Sequence, residues 1–525
     1  MSAITPQTEL RLLKCPIESD NRNQLTFSNA TAQYNYFNSL THLTVDNFTY
    51  QRKDSVIRYP AHIDTILNYN YVMYQNEAYT NKWFYAFITG MEYVNDNMTL
   101  ITIKTDVYQT WMFDIVWKRS FIEREHVNDD TLGKHTVPEG LETGAYKIYT
   151  HLTDSYNNNY SIVTQSTIHP DTLQEVNKIN IYNDVPTPGV LCRWDTASSV
   201  SPLTRLATFL NYLDSNGKKD ALVSMYIAPQ WILGAPQGGT GIDIEQGSTI
   251  PSETLGISRI SSLDGYTPHN KKLLCYPYCY IGLSNGIGQF NVYKQERWQL
   301  DNNEMKVTMR GVITPGASIR AFPMNYNGDG TSFDESITIG KFPMLGWTSD
   351  LYTNWLTQNG VNLALKGAGA ITGIVGGLAL MGTGGGAIAG ASMLSGGLGM
   401  VTDTVKEVYQ HSLVPDAVEG SLNSGDVTSA VKGLRLHAYR MGITQEYAKI
   451  IDHYFDMYGY KINYLKTPNI TGRTNWNYVK TIGANIEGDI PEDHLNEIKS
   501  IFNNGVTLWH NASTYLDYSQ SNNIA

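Results

Sequence analysis

Between Lys366 and Asp403 the chain runs for 36 residues without a charged side chain, GAGAITGIVGGLALMGTGGGAIAGASMLSGGLGMVT. A helix needs about 20 apolar residues to span a bilayer core, so the run is long enough to cross. Thirteen of its residues are glycine, and each interior glycine costs a helix about 1 kcal/mol relative to alanine. Nine are Leu, Ile or Val, each worth roughly 0.3–0.6 kcal/mol of insertion. Their sum, about 3–5 kcal/mol before the glycines are counted, is far below that of a permanent anchor. The run suits a segment that is kept in a water-soluble protein and enters a membrane when required.

The internal pattern refines this reading. Ile371, Ile374, Val375 and Leu378 sit at i, i+3, i+4 and i+7, one helical face. Gly373, Gly376 and Gly377 fall opposite them. Gly369, Gly373 and Gly377 form two overlapping G-x-x-x-G steps, a spacing that lets helices approach closely in lipid. Gly367 opens the run, and Leu380 and Met381 extend its first arm. Gly384, Gly385 and Gly386 then break the helix with a turn signal. Ile388, Met393, Leu394, Leu398 and Met400 make a second, short apolar arm. Two arms of 16 or 17 residues joined at a glycine tip describe a hairpin that dips into a bilayer or barely crosses it. The same composition also suits a buried linker, or a glycine-rich helix pair in a soluble core.

Outside this run the chain is polar and acidic, with 525 residues, 38 Lys and Arg against 49 Asp and Glu, and a formal net charge of −11. A dedicated nucleic-acid binder carries a basic face, and no Lys/Arg cluster longer than two residues occurs. An acidic surface repels DNA, which is useful where DNA must slide past without sticking. The 35 tyrosines suit β-rich structure and hydrogen-bonding surfaces. Cys15, Cys192, Cys275 and Cys279 are scattered, lack zinc-site spacing, and read as buried free thiols made in a reducing cytoplasm. The first residues, MSAITPQTELRLLKCP, do not read as a signal peptide.

The periodicities predict a β-dominated α+β chain. Strands are expected at Leu10 to Cys15, Asn81 to Thr89, Leu100 to Tyr108 and 431–439, with helices at Leu203 to Leu213, Thr444 to Tyr458 and Pro491 to Phe502. Gly459 fits a helix C-terminal cap. Trp347 to Leu365 reads as the stem of one long excursion over about 355–430. The expected segments are 1–150, 151–354, 355–430 and 431–525.

Catalytic motifs of the G-x-S-x-G, H-E-x-x-H, P-loop and dinucleotide types do not occur. Glu123, Glu125 and His126 are the most suggestive cluster. On a strand, however, the two carboxylates share a face that His126 does not. Salt bridges to Arg124 or to another subunit are the better reading. Asp452 and His453 are adjacent on a helix and diverge. The expectation is a chain without catalytic residues, metal or cofactor. A paired-carboxylate glycosidase site, set only by tertiary structure, stays open.

Several strings occur together and in order. Q-Y-N-Y-F-N-S (Gln33 to Ser39), N-K-W-F-Y-A-F (Asn81 to Phe87), D-V-Y-Q-T-W-M-F (Asp106 to Phe113) and S-F-I-E-R-E-H-V (Ser120 to Val127) lie near one end. Y-G-Y-K-I-N (Tyr458 to Asn463), N-Y-V-K-T (Asn477 to Thr481), G-D-I (Gly488 to Ile490) and I-F-N-N-G-V-T-L-W-H (Ile501 to His510) lie near the other. With the glycine-rich run between them, they resemble the tail knob, or distal tail tube, proteins of small short-tailed phages of Gram-positive bacteria. The likeness is strongest over the first 145 and last 90 residues and loose over 150–350, where L-L-C-Y-P-Y-C (Leu273 to Cys279) is one matching point.

The resemblance implies a homohexameric ring, a β-barrel tube at the distal end of a virion tail, made in the host cytoplasm. It implies that segments 1–150 and 431–525 build the tube wall together, with 151–354 outside or extending it. The long hydrophobic loop, about Leu356 to Asp426 here, would plug the lumen and then form a channel in the host cytoplasmic membrane for DNA ejection. Implied partners are the proximal tail tube (lower collar) protein, membrane lipid, and DNA in transit without specific binding. A receptor-binding or wall-degrading tail component is the alternative.

Overall fold

The computed structural model describes residues 8–46, 50–51, 55–76, 80–155, 160–176, 179–182, 185–195, 202–229, 233, 242–243, 252–286, 288–311, 318–331, 334–341 and 435–525. The chain divides into two compact units that do not follow chain order. Unit 1 combines Met1–Gly144, Gly265–Leu274 and Gln445–Ala525; unit 2 combines Ala145–Asp264 and Cys275–Thr444.

Unit 1 is built on a seven-stranded sheet in the order His42–Asp46, Thr8–Leu13, Tyr71–Asn76, Thr80–Asn95, Met98–Thr105, Val56–Tyr59, Tyr50–Gln51. Alternation along these strands buries both faces. Leu10, Leu12, Val72, Ala86, Ile101 and Ile103 line one core. Leu13, Tyr71, Met73, Tyr85 and Phe87 line another, with Phe37 of helix Ala30–Ser39 and with Trp476 and Trp509. The expected strand over Leu100 to Tyr108 stops early. Asp106 accepts the Gln109 N–H at 3.1 Å and caps a short helix, Val107–Trp111, because an aspartate at this position satisfies an orphan helix donor.

A second sheet of unit 1 joins the two ends of the chain, in the order Asn23–Leu25, Val506–Trp509, Trp476–Ile482, Ser120–Glu125, Tyr460–Lys466. Trp476 and Trp509 are cross-strand partners, with ring centroids 5.0 Å apart. Each indole N–H has an acceptor, the Asp456 carbonyl at 2.8 Å and the Asn23 side chain at 3.0 Å. Burying these rings therefore strands no donor.

Helix Gln445–Tyr458 ends at Gly459. The Gly459 φ is +63°, and its N–H bonds the Phe455 carbonyl at 2.8 Å. A Cβ there would lie 2.2 Å from the Glu125 carbonyl oxygen. The left-handed turn and the close strand both require glycine. Helix Glu492–Asn504 covers the sheet with Ile498, Ile501 and Phe502.

Residues 265–274 are held in unit 1 by three carboxylates, Asp452, Glu139 and Asp130, the last accepting the Lys271 N–H at 2.9 Å. Asp452, fully buried, accepts from the Tyr266 hydroxyl at 2.8 Å, the His269 N–H at 2.7 Å, the Asn270 N–H at 3.1 Å and the Asn270 side chain at 2.9 Å. Glu139, whose side chain is fully buried, completes the fastening. It takes Arg124 and Lys272 together, and the Lys461 N–H at 2.9 Å.

Unit 2 is a set of small antiparallel sheets. One runs Tyr146–Ser155, Arg435–Ile443, Cys279–Ser284, Phe290–Tyr293. A second runs Ser252–Ser258, Glu304–Gly311, Ser318–Tyr326, Asp329–Thr331, with Ile337–Lys341 also pairing Ser318–Tyr326. A third, Leu222–Pro229, Tyr160–Ser166, Val190–Asp195, Ile242–Asp243, packs Trp194 against Leu206, Phe209, Leu210 and Leu213 of helix Pro202–Ser215.

Candidate functional site

The predicted membrane-active residues, Gly367 to Met400, lie outside the described residues, as do the expected stem at Trp347 to Leu365 and residues 431–434 of the expected strand. The described strands on either side of residues 342–434 form their frame. Ile337–Lys341 leads out, and Arg435–Ile443 leads back.

One hairpin, Cys279–Ser284 with Phe290–Tyr293, engages both. Cys279–Ser284 pairs directly with the return strand, from Cys279 opposite Gly442 to Ser284 opposite His437. The hairpin turn engages the outgoing strand at Thr338. Asn285, almost fully buried, donates its side-chain amide to the Thr338 carbonyl at 2.8 Å. The Gln289 side chain accepts the Thr338 N–H at 3.2 Å, and the Gln289 N–H in turn bonds Asn285 Oδ1 at 3.1 Å.

The outgoing strand thus gains side-chain partners in addition to its pairing with Ser318–Tyr326. The buried Asn285 amide, bonded at both its nitrogen and its oxygen, fixes the hairpin turn against Thr338. Ile337 and Ile339 on one strand, and Leu436, Ala438 and Ile443 on the other, are buried. The return strand is also flanked by Tyr146–Ser155 on its second side. Asn285 and Gln289 belong to no periodic pattern or motif in the sequence.

The acidic cluster resolves into separate ion pairs. A bulge between Ile122 and Arg124 interrupts the strand alternation that the sequence predicted. Glu123 pairs with Lys480 at 2.9 Å, half-buried. Glu125, fully buried, takes Lys466 at 2.5 Å and the Asn469 N–H at 2.9 Å. The carboxylate on Arg124 is Glu139, 15 residues along the chain, and neither of its strand neighbours. His126 is buried, accepting the Tyr478 N–H at Nδ1 and donating from Nε2 to the Asp456 carbonyl. Each of these groups is thus taken up by a partner outside the cluster.

All four cysteines are buried and outside any disulfide. Burial pushes the Cys15 thiol up to about 12 and the Cys279 thiol well above its ordinary value. Thiols so placed are poor nucleophiles. Among the described residues no group of three His, Cys, Asp or Glu side chains converges as a metal site. Among them, too, no helix is long and apolar enough to cross a membrane.

Residues 247–523 match the family model for the C-terminal domain of the Bacillus phage phi29 tail knob protein gp9, and residues 6–118 match that for the N-terminus of the caudoviral major tail protein. The chain is 29% identical to the tail knob protein gp9 of Bacillus phage PZA, over 96% of each. It is 28% identical to that of phi29, again over 96% of each, and 26% identical to that of phage B103, over 98% of each. The relatives thus match across the middle region, where the sequence strings alone were loose. The fold is similar to that of the bacteriophage C1 tail knob protein gp12, with a TM-score of 0.61 at 14% identity over 99% of this chain and 100% of that one. With more than half of its length matched by the gp9 C-terminal domain model, the chain belongs to the phage tail knob protein family.

Proposed function

We propose that the chain is a structural tail component that works by assembly and conformational release, without chemistry. Six copies form a ring at the distal end of the tail, docked on the proximal tail tube protein, and DNA passes through its lumen. The observation that carries this reading is the uncharged run Gly367 to Thr402, inserted between two strands that one hairpin engages. A firm frame on both sides lets the intervening segment change state while the folded units stay intact.

The run is too glycine-rich to be a permanent anchor and too apolar to sit freely in water. Stored in the lumen, six copies would cover each other's apolar faces. Released at the host cytoplasmic membrane, they would bury those faces in lipid and turn the small-residue faces together. The net charge of −11 disfavours retention of the polyanion in transit.

Electron microscopy of the purified full chain tests the assembly. Six-fold rings are expected. A chain that stays monomeric across the micromolar range overturns the tube.

A further inference from the structure

We propose that His151 and His437 form a binding site for a borderline divalent cation of the zinc class. It would link the strand Tyr146–Ser155 to the strand that returns from residues 342–434. In the register of these strands Thr153 lies opposite His437 and His151 opposite Tyr439. Side chains two apart on a strand share a face, so all four stand on one surface of the sheet. His151 Nε2 is 2.9 Å from His437 Nδ1. The Thr153 hydroxyl is 3.1 Å from the first nitrogen and 3.5 Å from the second. Three possible ligand atoms from two strands therefore lie within hydrogen-bonding distance of one another, and a cation would replace the proton that the two facing imidazole nitrogens share.

The rings are held in place. His151 stacks on Tyr439, with centroids 4.6 Å apart and planes within 8°. The two imidazole planes lie within 22° of each other, with centroids 5.2 Å apart. On the far side of His437, Gly286 has a φ of +73°, and a Cβ there would come within 3.3 Å of His437 Nε2. The glycine turn leaves room for that ring edge.

Zinc–imidazole bonds of about 2.0–2.1 Å in tetrahedral geometry place two ligating nitrogens about 3.3–3.4 Å apart. Moving from 2.9 Å asks the pair to part by about 0.4 Å, a shift that the exposed His151 ring can make by sliding across the face of Tyr439. Imidazole suits Zn²⁺, Ni²⁺ and Cu²⁺ over the hard oxygen-seeking cations. The Thr153 hydroxyl and a water would complete four-coordination.

The test is titration of the full chain with Zn²⁺ against a chromophoric chelator, and with Co²⁺ read by its visible absorption bands. The chains compared are the parent, H151N, H437N, the double variant, and H453A as a control at an exposed helix position. The proposal expects one site per chain in the parent and in H453A. Affinity should fall by about tenfold or more in each single variant and the site should vanish in the double variant. Zn²⁺ should also raise the thermal midpoint of the parent and not of the double variant. His151 is exposed, so H151N tests the site without threatening the sheet. Equal Zn²⁺ affinity in the parent and the double variant, or no saturable binding by the parent, overturns the proposal.

Discussion

His126 accepts the backbone N–H of Tyr478 at Nδ1, 2.7 Å away, and so ties strand Trp476–Ile482 to helix Gln445–Tyr458 only in its neutral form. Its Nε2 donates to the Asp456 carbonyl at 3.0 Å, which leaves no room for a second ring proton. Burial, assisted by the nearby Arg473 and Arg124 charges, pushes the His126 pKa down to about 3. Its unfolded value is about 6.5. A depressed folded pKa means that the native state binds fewer protons than the unfolded one. The contribution of His126 is therefore complete above pH 6.5 and is lost as pH falls towards 3. Denaturant unfolding should show about 2 kcal/mol lost from this group between pH 7 and pH 5. H126Q, which keeps an acceptor and a donor without titrating, should flatten that slope. An unchanged slope in H126Q contradicts the assignment.

Asp452 takes the largest share of the hydrogen bonds that attach residues 265–274. D452A takes the acceptor from the Tyr266 hydroxyl and from the His269 and Asn270 N–H groups, each costing about 1–3 kcal/mol if it stays buried, while the Asn270 side chain keeps the Asp456 carboxylate at 2.7 Å. A loss of at least about 3 kcal/mol is expected, with D452N in between. Amide exchange over 265–274 should accelerate more than exchange in Trp476–Ile482. Uniform acceleration across unit 1 would refute a local role.

Glu139 neutralises two buried cations, Arg124 and Lys272. Removing one partner of a buried ion pair costs about 3–5 kcal/mol because charge is left uncompensated. E139A should reach that range and E139Q should fall short of it. A cost for E139A under 1 kcal/mol, measured by urea unfolding, would show that water reaches the cations.

Gly459→Ala combines a left-handed φ with a clash at the Glu125 carbonyl. About 1–3 kcal/mol for the backbone strain alone is expected, read as a lower thermal midpoint. An unchanged midpoint would mean that helix Gln445–Tyr458 can end elsewhere.

Local chemistry was legible where one element carries it. Helix Gln445–Tyr458 with its Gly459 cap, helix Pro202–Ser215 and the aromatic strand within Thr80–Asn95 all follow from spacing. The helix at Val107–Trp111 was hidden because Val107 and Tyr108 continue the alternation of the strand before them, and the Asp106 cap decides the matter. The return of residues 265–274 to unit 1 was not legible, since Asp452 finds its partners more than 180 residues away. The bulge at Glu123 and the pairing of Arg124 with Glu139 likewise depend on which strands meet. In the frame of residues 342–434, the apolar run itself was plain in the sequence. Asn285 and Gln289, which hold the outgoing strand, have no local signature.

The central claim is that Gly367 to Thr402 acts on membranes while the rest of the chain builds the tube. Dye release from liposomes tests it most directly, using the purified full chain, a chain lacking Gly367 to Thr402, and I374D/L378D, each checked for rings by electron microscopy. The account predicts rings in all three and release by the full chain alone. Rings with equal release from all three, or with none from the full chain, would contradict it.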